Sequence, residues 1–265
     1  MKAITFIVRF ITAQFKEHTQ KLVRRTYLIP PPSAVVGFFG AILGFSREEL
    51  WKNGDKLLAG AELRSLGGRA VSLCRIFKID RSATALVRLL EDYYRIDKLP
   101  MKKKKNILEE IQGLLTIKES EELYMAEYKF AVASTDEQLM KEGVRRLKEL
   151  DFEYEVFGGN DYNFVEYIGE VKEAKLVKST RGSGYCKRDD FKKLEASRFY
   201  IVRDLGLQIR QPLILPVKFH EGGVFEDYIQ AYGAEIVSYR ALDAVDDNES
   251  KIFVYKVKPF LVMRI

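Results

Sequence analysis

Cleavage of RNA by its own 2′-hydroxyl needs a base, an acid and a cation for the phosphorane, roles that histidine, tyrosine and lysine can fill without a metal. The chain has two histidines, and His18 stands in a basic stretch beside Lys16, Lys21, Arg24, Arg25 and Tyr27. A metal-independent ribonuclease would draw on His18, Tyr27 and Lys21; the plainer role for His18 is a surface or phosphate-contacting residue. His220, which precedes Glu221-Gly222-Gly223, reads as a strand-end residue.

Binding RNA without cutting it asks less: cations for the phosphates and aromatic rings for unpaired bases. Phe15, Lys16, His18, Lys21, Arg24, Arg25 and Tyr27 supply that mixture once, and Arg181, Tyr185, Lys187 and Arg188 supply it again in a glycine-rich stretch. Lys102, Lys103, Lys104 and Lys105 form a third basic block. The net charge is only +6, from 44 basic and 38 acidic residues, yet Met1–Gly44 alone carries +5. Separate basic clusters on a near-neutral body point to a polyanion.

Other chemistries lack their parts. No GxxxxGK[ST] phosphate loop is present, nor a GxSxG elbow, nor HExxH, so nucleotide, serine-hydrolase and zinc-hydrolase mechanisms are disfavoured. Cys74 and Cys186 stand far apart and the two histidines are equally isolated, against the short ligand spacings of a zinc site, so no metal and no cofactor is expected. The pairs Glu109-Glu110, Glu121-Glu122 and Asp246-Asp247 read as solvated charge. No uncharged apolar run reaches about eighteen residues and the N-terminus has no secretory pattern, so no membrane span and a cytoplasmic location are expected.

The elements that must hold these residues are read from periodicity. Ile4, Phe6, Val8 and Phe10 alternate while Ile7 and Ile11 are also apolar, predicting a central strand covered on both faces. A polar loop over Lys16–Arg25 leads to Pro30-Pro31-Pro32-Ser33 and a helix from about Ala34 to Phe45 with Ser33 as its cap. Gly37, Gly40, Ala41 and Gly44 leave one face of that helix bare, fit for close approach of a sheet or another chain. A short helix over Glu48–Lys52 and a strand over Arg69–Ile79 follow. Asp80–Lys118 turns helical, as an insertion between two strands.

Leu123–Ala133 returns to strand character. Thr135 with Gln138 predicts a capping box for a helix with Leu139, Met140, Val144, Leu147 and Leu150 on one face, and Phe152, Tyr154 and Val156 alternate as a further strand. The sum is an α+β chain whose first part has the βαββαβ order of a ferredoxin-like or RNA-recognition-type sandwich. Strand-like runs at Arg198–Val202, Leu213–Phe219, Glu235–Tyr239 and Lys251–Val257 make the remainder β-rich, with acidic loops around Asp243–Glu249.

The run Arg25-Thr26-Tyr27-Leu28-Ile29-Pro30-Pro31-Pro32-Ser33-Ala34-Val35-Val36-Gly37-Phe38-Phe39-Gly40-Ala41-Ile42-Leu43-Gly44 closely resembles the N-terminal signature of the Cas-five family, RAMP-type subunits of type I CRISPR effector complexes (Cascade). Phe157-Gly158-Gly159-Asn160-Asp161 is similar to the segment where that family's chain leaves its N-terminal fold. The resemblance implies a RAMP domain over residues 1–160 with a helical thumb at about 80–118, and a β-rich region over 161–265 packed on it. It also implies a non-catalytic subunit that holds the 5′ handle of CRISPR RNA and touches a Cas-seven backbone subunit and the large subunit. Lys16 to Arg25 and the helix start at Ser33 would then face phosphates, and Lys102 to Lys105 would lie on the thumb. The subtype I-A or I-B branches fit best; the I-C branch, which cleaves precursor RNA, is the alternative.

Overall fold

The structure, a computed structural model, describes residues 1–17, 23–77, 83–160, 162–195, 213–221 and 224–257. The first part of the chain forms β1 (Lys2–Ala13), β2 (Val23–Arg24), α1 (Pro32–Leu43), α2 (Arg47–Asn53), β3 (Leu57–Ser65), β4 (Gly68–Phe77), α3 (Ala83–Tyr94), α4 (Met101–Leu114), β5 (Leu115–Ser134) and α5 (Glu137–Glu149). The rest forms β6 (Val165–Lys187), β7 (Phe191–Glu195), β8 (Leu213–Glu221), β9 (Val224–Asp246), β10 (Lys251–Phe253) and β11 (Tyr255–Lys256). Two compact units result: a larger one from Met1–Lys21, Arg25–Ala70 and Glu121–Ile265, and a smaller one from Leu22–Arg24 and Val71–Ser120. The expected strand at Arg198–Val202 lies outside the described residues.

In the larger unit β1 is a central strand, as its two apolar faces predict. It pairs antiparallel with β5 from Lys2 opposite Ser134 to Ala13 opposite Leu123, and on its other edge with β6 from Lys2 opposite Lys175 to Phe10 opposite Val165. Strand β3, which the sequence reading does not assign, pairs antiparallel with the far edge of β5. The sheet continues from β6 through β10 and β9 to β7, while β11, directly after β10, pairs with β3. One short C-terminal stretch thus joins both sides of a curled, strand-rich sheet in a mixed α+β fold.

On one face of this sheet Phe6, Phe10, Phe38 and Phe130 are buried and meet edge to face or offset, with Phe38 and Phe130 centroids 5.4 Å apart. Such geometry aligns ring edges with the negative faces of their neighbours. Helix α1 begins earlier than expected. Pro31 is its N-cap and Pro32 its first residue, a place where proline's missing N–H costs nothing, so Ser33 sits exposed in the first turn and caps nothing. Helix α5 is likewise capped by Asp136, whose side chain accepts from the Leu139 N–H at 3.1 Å, in place of Thr135.

The strand expected at Phe152–Val156 is absent. The Tyr154 N–H donates to the Ala41 carbonyl at 3.2 Å and that of Glu153 to Ile42 at 3.4 Å, so this segment satisfies the open C-terminal end of α1 and not a sheet edge. The fourth strand of the layer is β6.

The opposite face of the layer buries a small apolar cluster of Ala3, Ala131, Ala133, Val245, Ile252 and Val254 and, beside it, a charged group. The Lys129 ammonium lies 2.5 Å from Asp247, with the side chains 2% and 0% exposed. The Thr5 hydroxyl donates to Asp247 at 2.9 Å, and Glu249 is shared between Lys129 at 3.3 Å and Lys172 at 2.6 Å. Asp247 is therefore not solvated charge, as Asp246-Asp247 suggests in sequence; it anchors the turn after β9 against the sheet. Glu121, 6% exposed, also departs from that expectation.

In the smaller unit, β2 pairs parallel with β5 at Val23 opposite Glu119 and Arg24 opposite Ser120. Leu89 of α3 and Ile107 of α4 are its buried apolar residues among those described, while Tyr94 and Met101 are strongly exposed.

Candidate nucleic-acid interface

The cations expected to meet RNA are positioned by a buried frame. Beyond β1 the chain makes a narrow hairpin: Lys16 bridges Thr26, the Glu17 N–H donates to the Arg25 carbonyl at 3.0 Å, and the Tyr27 N–H donates to that of Phe15 at 2.8 Å. Thr26 is locked from both sides, accepting from the Phe15 N–H at 2.9 Å and donating its own N–H to Glu121 at 3.1 Å. Glu121 in turn holds Arg69 at 2.5 Å. With the backbone so fixed, Lys16 and Arg25 project as exposed cations. Burial raises the Glu17 carboxyl above its usual range, and the Arg25 charge pulls it the other way.

The strand pair that carries the second basic cluster is tied to the segment after Arg25 through a contact that no local pattern announces. The Gln230 side chain clamps Ile29, accepting from its N–H at 3.4 Å and donating to its carbonyl at 2.7 Å. Across the β6–β9 pair Gln230 faces Tyr185, and Lys187 faces Tyr228. The Lys187 ammonium lies 5.8 Å from the Tyr228 ring centroid, and Arg188 is exposed next to it. The clamp thus ties β9, the partner of the strand that carries Lys187, to Ile29, four residues after Arg25.

The aromatic residues behave differently from the expectation. Tyr27 is 2% exposed and Tyr185 is fully buried, its ring against Tyr228 and Tyr255 at 6.3 and 5.7 Å. Their bulk supports the surface from beneath, so neither ring is placed to stack on a base. Arg181 is engaged by Glu195 at 2.8 Å. Cys186 is a buried free thiol, and burial pushes it up to about 12, as suits an apolar filler. His220 falls near the end of β8. His18 and Lys21 lie outside the described residues.

In the smaller unit, Arg24 is half-exposed on β2, and Lys102 to Lys105 occupy the start of α4. Lys104 donates to the Asp97 carbonyl at 3.2 Å and Lys105 pairs with Glu109 at 3.8 Å, both on the surface. Among the described residues, no group of His, Cys, Asp or Glu could hold a metal ion, and no helix is long and apolar enough to cross a membrane.

A glycine-rich loop closes the other side of the hairpin. The Gln14 N–H donates to the Gly158 carbonyl at 2.7 Å, Asn160 donates to the Gln14 side chain at 2.8 Å, and Asn163 donates to Thr12 at 2.8 Å. Gly159 has φ +107°, and a Cβ there would stand 2.0 Å from the Gln14 carbonyl oxygen, so only glycine fits. This loop and the Arg25–Gly44 run are the two segments whose sequence carries the family resemblance. Residues 3–251 match the family described as "CRISPR-associated protein (Cas_Cas5)". The chain belongs to this Cas5 family.

Solved structures similar to this Cas5-family chain include a chain of a "CRISPR RNA-guided surveillance complex", at 12% identity and TM-score 0.44, covering 89% of this chain and 91% of the other. A CRISPR protein from Archaeoglobus fulgidus is similar at 11% identity and TM-score 0.47, covering 97% and 100%. No curated protein matches the sequence. Sequence reasoning had missed Arg69, Glu121 and Gln230; a buried glutamine within a strand carries no signal until its partner more than two hundred residues away is known.

Proposed function

We propose that the chain is a non-catalytic RNA-binding subunit of a type I CRISPR interference complex. It holds the 5′ handle of CRISPR RNA, caps the Cas-seven backbone subunits and meets the large subunit, in the cytoplasm, in antiviral defence. In this reading the order β6-β1-β5-β3 with α1 and α5 is a ferredoxin-like RAMP layer, and residues of about 80–118 serve as its thumb. Membership of the Cas5 family supports the assignment, and the observation that carries it is the set of exposed cations Lys16, Arg25 and Arg188, with Lys187 half-buried beside the last, on a hydrogen-bonded frame. The non-catalytic part draws support from Tyr27, whose burial keeps its phenol from a scissile phosphate.

The test is retention of labelled repeat RNA by the purified protein in EDTA, read with cleavage on one gel at several salt concentrations. Retention without cutting is expected, with affinity falling as salt rises. Each phosphate contact on a single strand contributes about 0.7 to the log–log salt slope, so Lys16→Ala with Arg25→Ala should flatten it by roughly 1.4. Cutting at one site would instead make the chain a processing ribonuclease, and its loss in His18→Ala would name the base.

A further inference from the structure

Glycine inside a helix costs roughly 1 kcal/mol relative to alanine, so each helical glycine asks for a reason. Gly40 of α1 has one, since a Cβ there would stand 2.5 Å from the Leu50 side chain. Gly143 of α5 has one too, with Phe39 at 2.3 Å. Gly37, in the middle of α1, has none among the described residues: a Cβ there would meet nothing within 4 Å. What Gly37 faces is a cleft of about 340 Å³.

The cleft lies within the larger unit. Ala34, Gly37 and Ala41 of α1 form one wall, Phe38 and Phe130 belong to its lining, and Phe157 and Val156 come from the segment that leads into the glycine-rich loop. Its size is at the lower end of the range typical of ligand pockets, about 300–1,000 Å³. The charged residue among its lining is Glu155, which is exposed. An RNA base could fill such a space, but its phosphates would meet Glu155 where the lining offers no lysine or arginine. An apolar side chain of a protein, followed or preceded by a lysine or arginine, satisfies both the walls and the carboxylate.

We propose that this cleft receives an apolar side chain, flanked by a basic residue, from a neighbouring protein subunit. Gly37 is bare so that this anchor can approach the helix backbone. The proposal rests on the reading of the chain as a subunit of a CRISPR complex, and Phe15, Gly159 and Asn160 of the lining set that subunit contact against the base of the hairpin that carries Lys16. Buried anchors in small pockets are where protein interfaces concentrate their binding energy.

The test uses the full chain co-expressed with the CRISPR-associated proteins encoded beside it. Gly37→Leu fills the cleft from within, and Glu155→Lys reverses the charge at its edge. Each should weaken assembly by about tenfold or more, as loss of a buried anchor does. Gly37→Leu should melt no lower than the wild type, because leucine is the better helix former. Retention of repeat RNA by the isolated chain should be unchanged in Gly37→Leu, the variant that adds no charge next to the Lys16 hairpin. Wild-type assembly by either variant overturns the proposal, as does loss of RNA retention with assembly intact, which would put RNA in the cleft. A wild type that retains repeat RNA but recruits no neighbouring subunit overturns the docking proposal alone; one that does neither removes the underlying reading and the docking proposal with it.

Discussion

The two faces of the layer formed by β3, β5, β1 and β6 use alternate residues of the same strands, yet they hold their neighbours by different physics. On one face Phe6, Phe10, Phe38 and Phe130 pack as rings, and their contribution scales with apolar area removed from water. On the other, Thr5, Lys129 and Asp247 form a buried ionic group beneath the turn that leads to β10. A buried ion pair adds little net energy over an apolar substitute, because desolvation offsets the attraction. What it does impose is a penalty for any arrangement in which one charge is left alone. The ring-packed face supplies most of the apolar burial, and on the other the charged group adds position to a small apolar cluster, in which Val245, Ile252 and Val254 meet Ala3, Ala131 and Ala133.

Breaking the pair tests this contrast most severely. Lys129→Met leaves the Asp247 carboxylate buried without its partner and should cost about 3–5 kcal/mol in denaturant unfolding at neutral pH. Adding Asp247→Asn, which removes the charge and keeps an oxygen to accept from the Ser250 N–H, should return most of that loss. If the double variant is as unstable as the single one, the pair contributes stability and not only position. Phe6→Ala should cost a similar amount, about 3–5 kcal/mol, with no comparable rescue by a charge change.

The two costs separate with pH. Burial by itself would raise the Asp247 carboxyl; hydrogen bonds from Lys129, the Ser250 N–H and Thr5 outweigh it and hold it at about 2. A carboxyl lowered by folding contributes stability that is present above its unfolded value and lost as pH falls through its folded one. The Lys129→Met penalty should therefore shrink as the pH is taken from neutral toward 2, while the Phe6→Ala penalty should stay nearly constant. Parallel pH profiles for the two variants would remove the distinction between the faces.

The same contrast explains how much was readable beforehand. β1 shows period two with both faces apolar, and α5 shows period 3.6, so local pattern sufficed for each. β3 was silent because its centre is Ala59-Gly60-Ala61, poor strand formers. Gly60 is small because a Cβ would lie 2.2 Å from the Phe253 carbonyl oxygen, and Gly184 because a Cβ would lie 2.3 Å from that of Ala61. Those residues answer to chain segments that cross them from far along the sequence. Likewise the type and spacing of Lys16 and Arg25 revealed them as candidate RNA contacts, whereas Tyr185 looked like a stacking residue until its burial was known. Asp247 looked solvated because its partner, Lys129, sits on another strand.

Glu62 gives the smallest effect and the finest test of the charged group. Its Oε2 is buried without a hydrogen-bond partner, and burial raises its carboxyl above the usual range, with Arg64 and Lys129 opposing. The sign is opposite to that of Asp247: a raised carboxyl favours the fold fully below its unfolded value, and the benefit is lost as pH rises through the folded one. Glu62→Gln carries no ionisable proton, so it should stay within about 1 kcal/mol of the wild type under mildly acidic conditions. It should then gain on the wild type as pH rises. Equal slopes for Glu62→Gln and wild type in that range would mean that Glu62 is charged in the fold and that Lys129 serves two carboxylates, Glu62 and Asp247, at once.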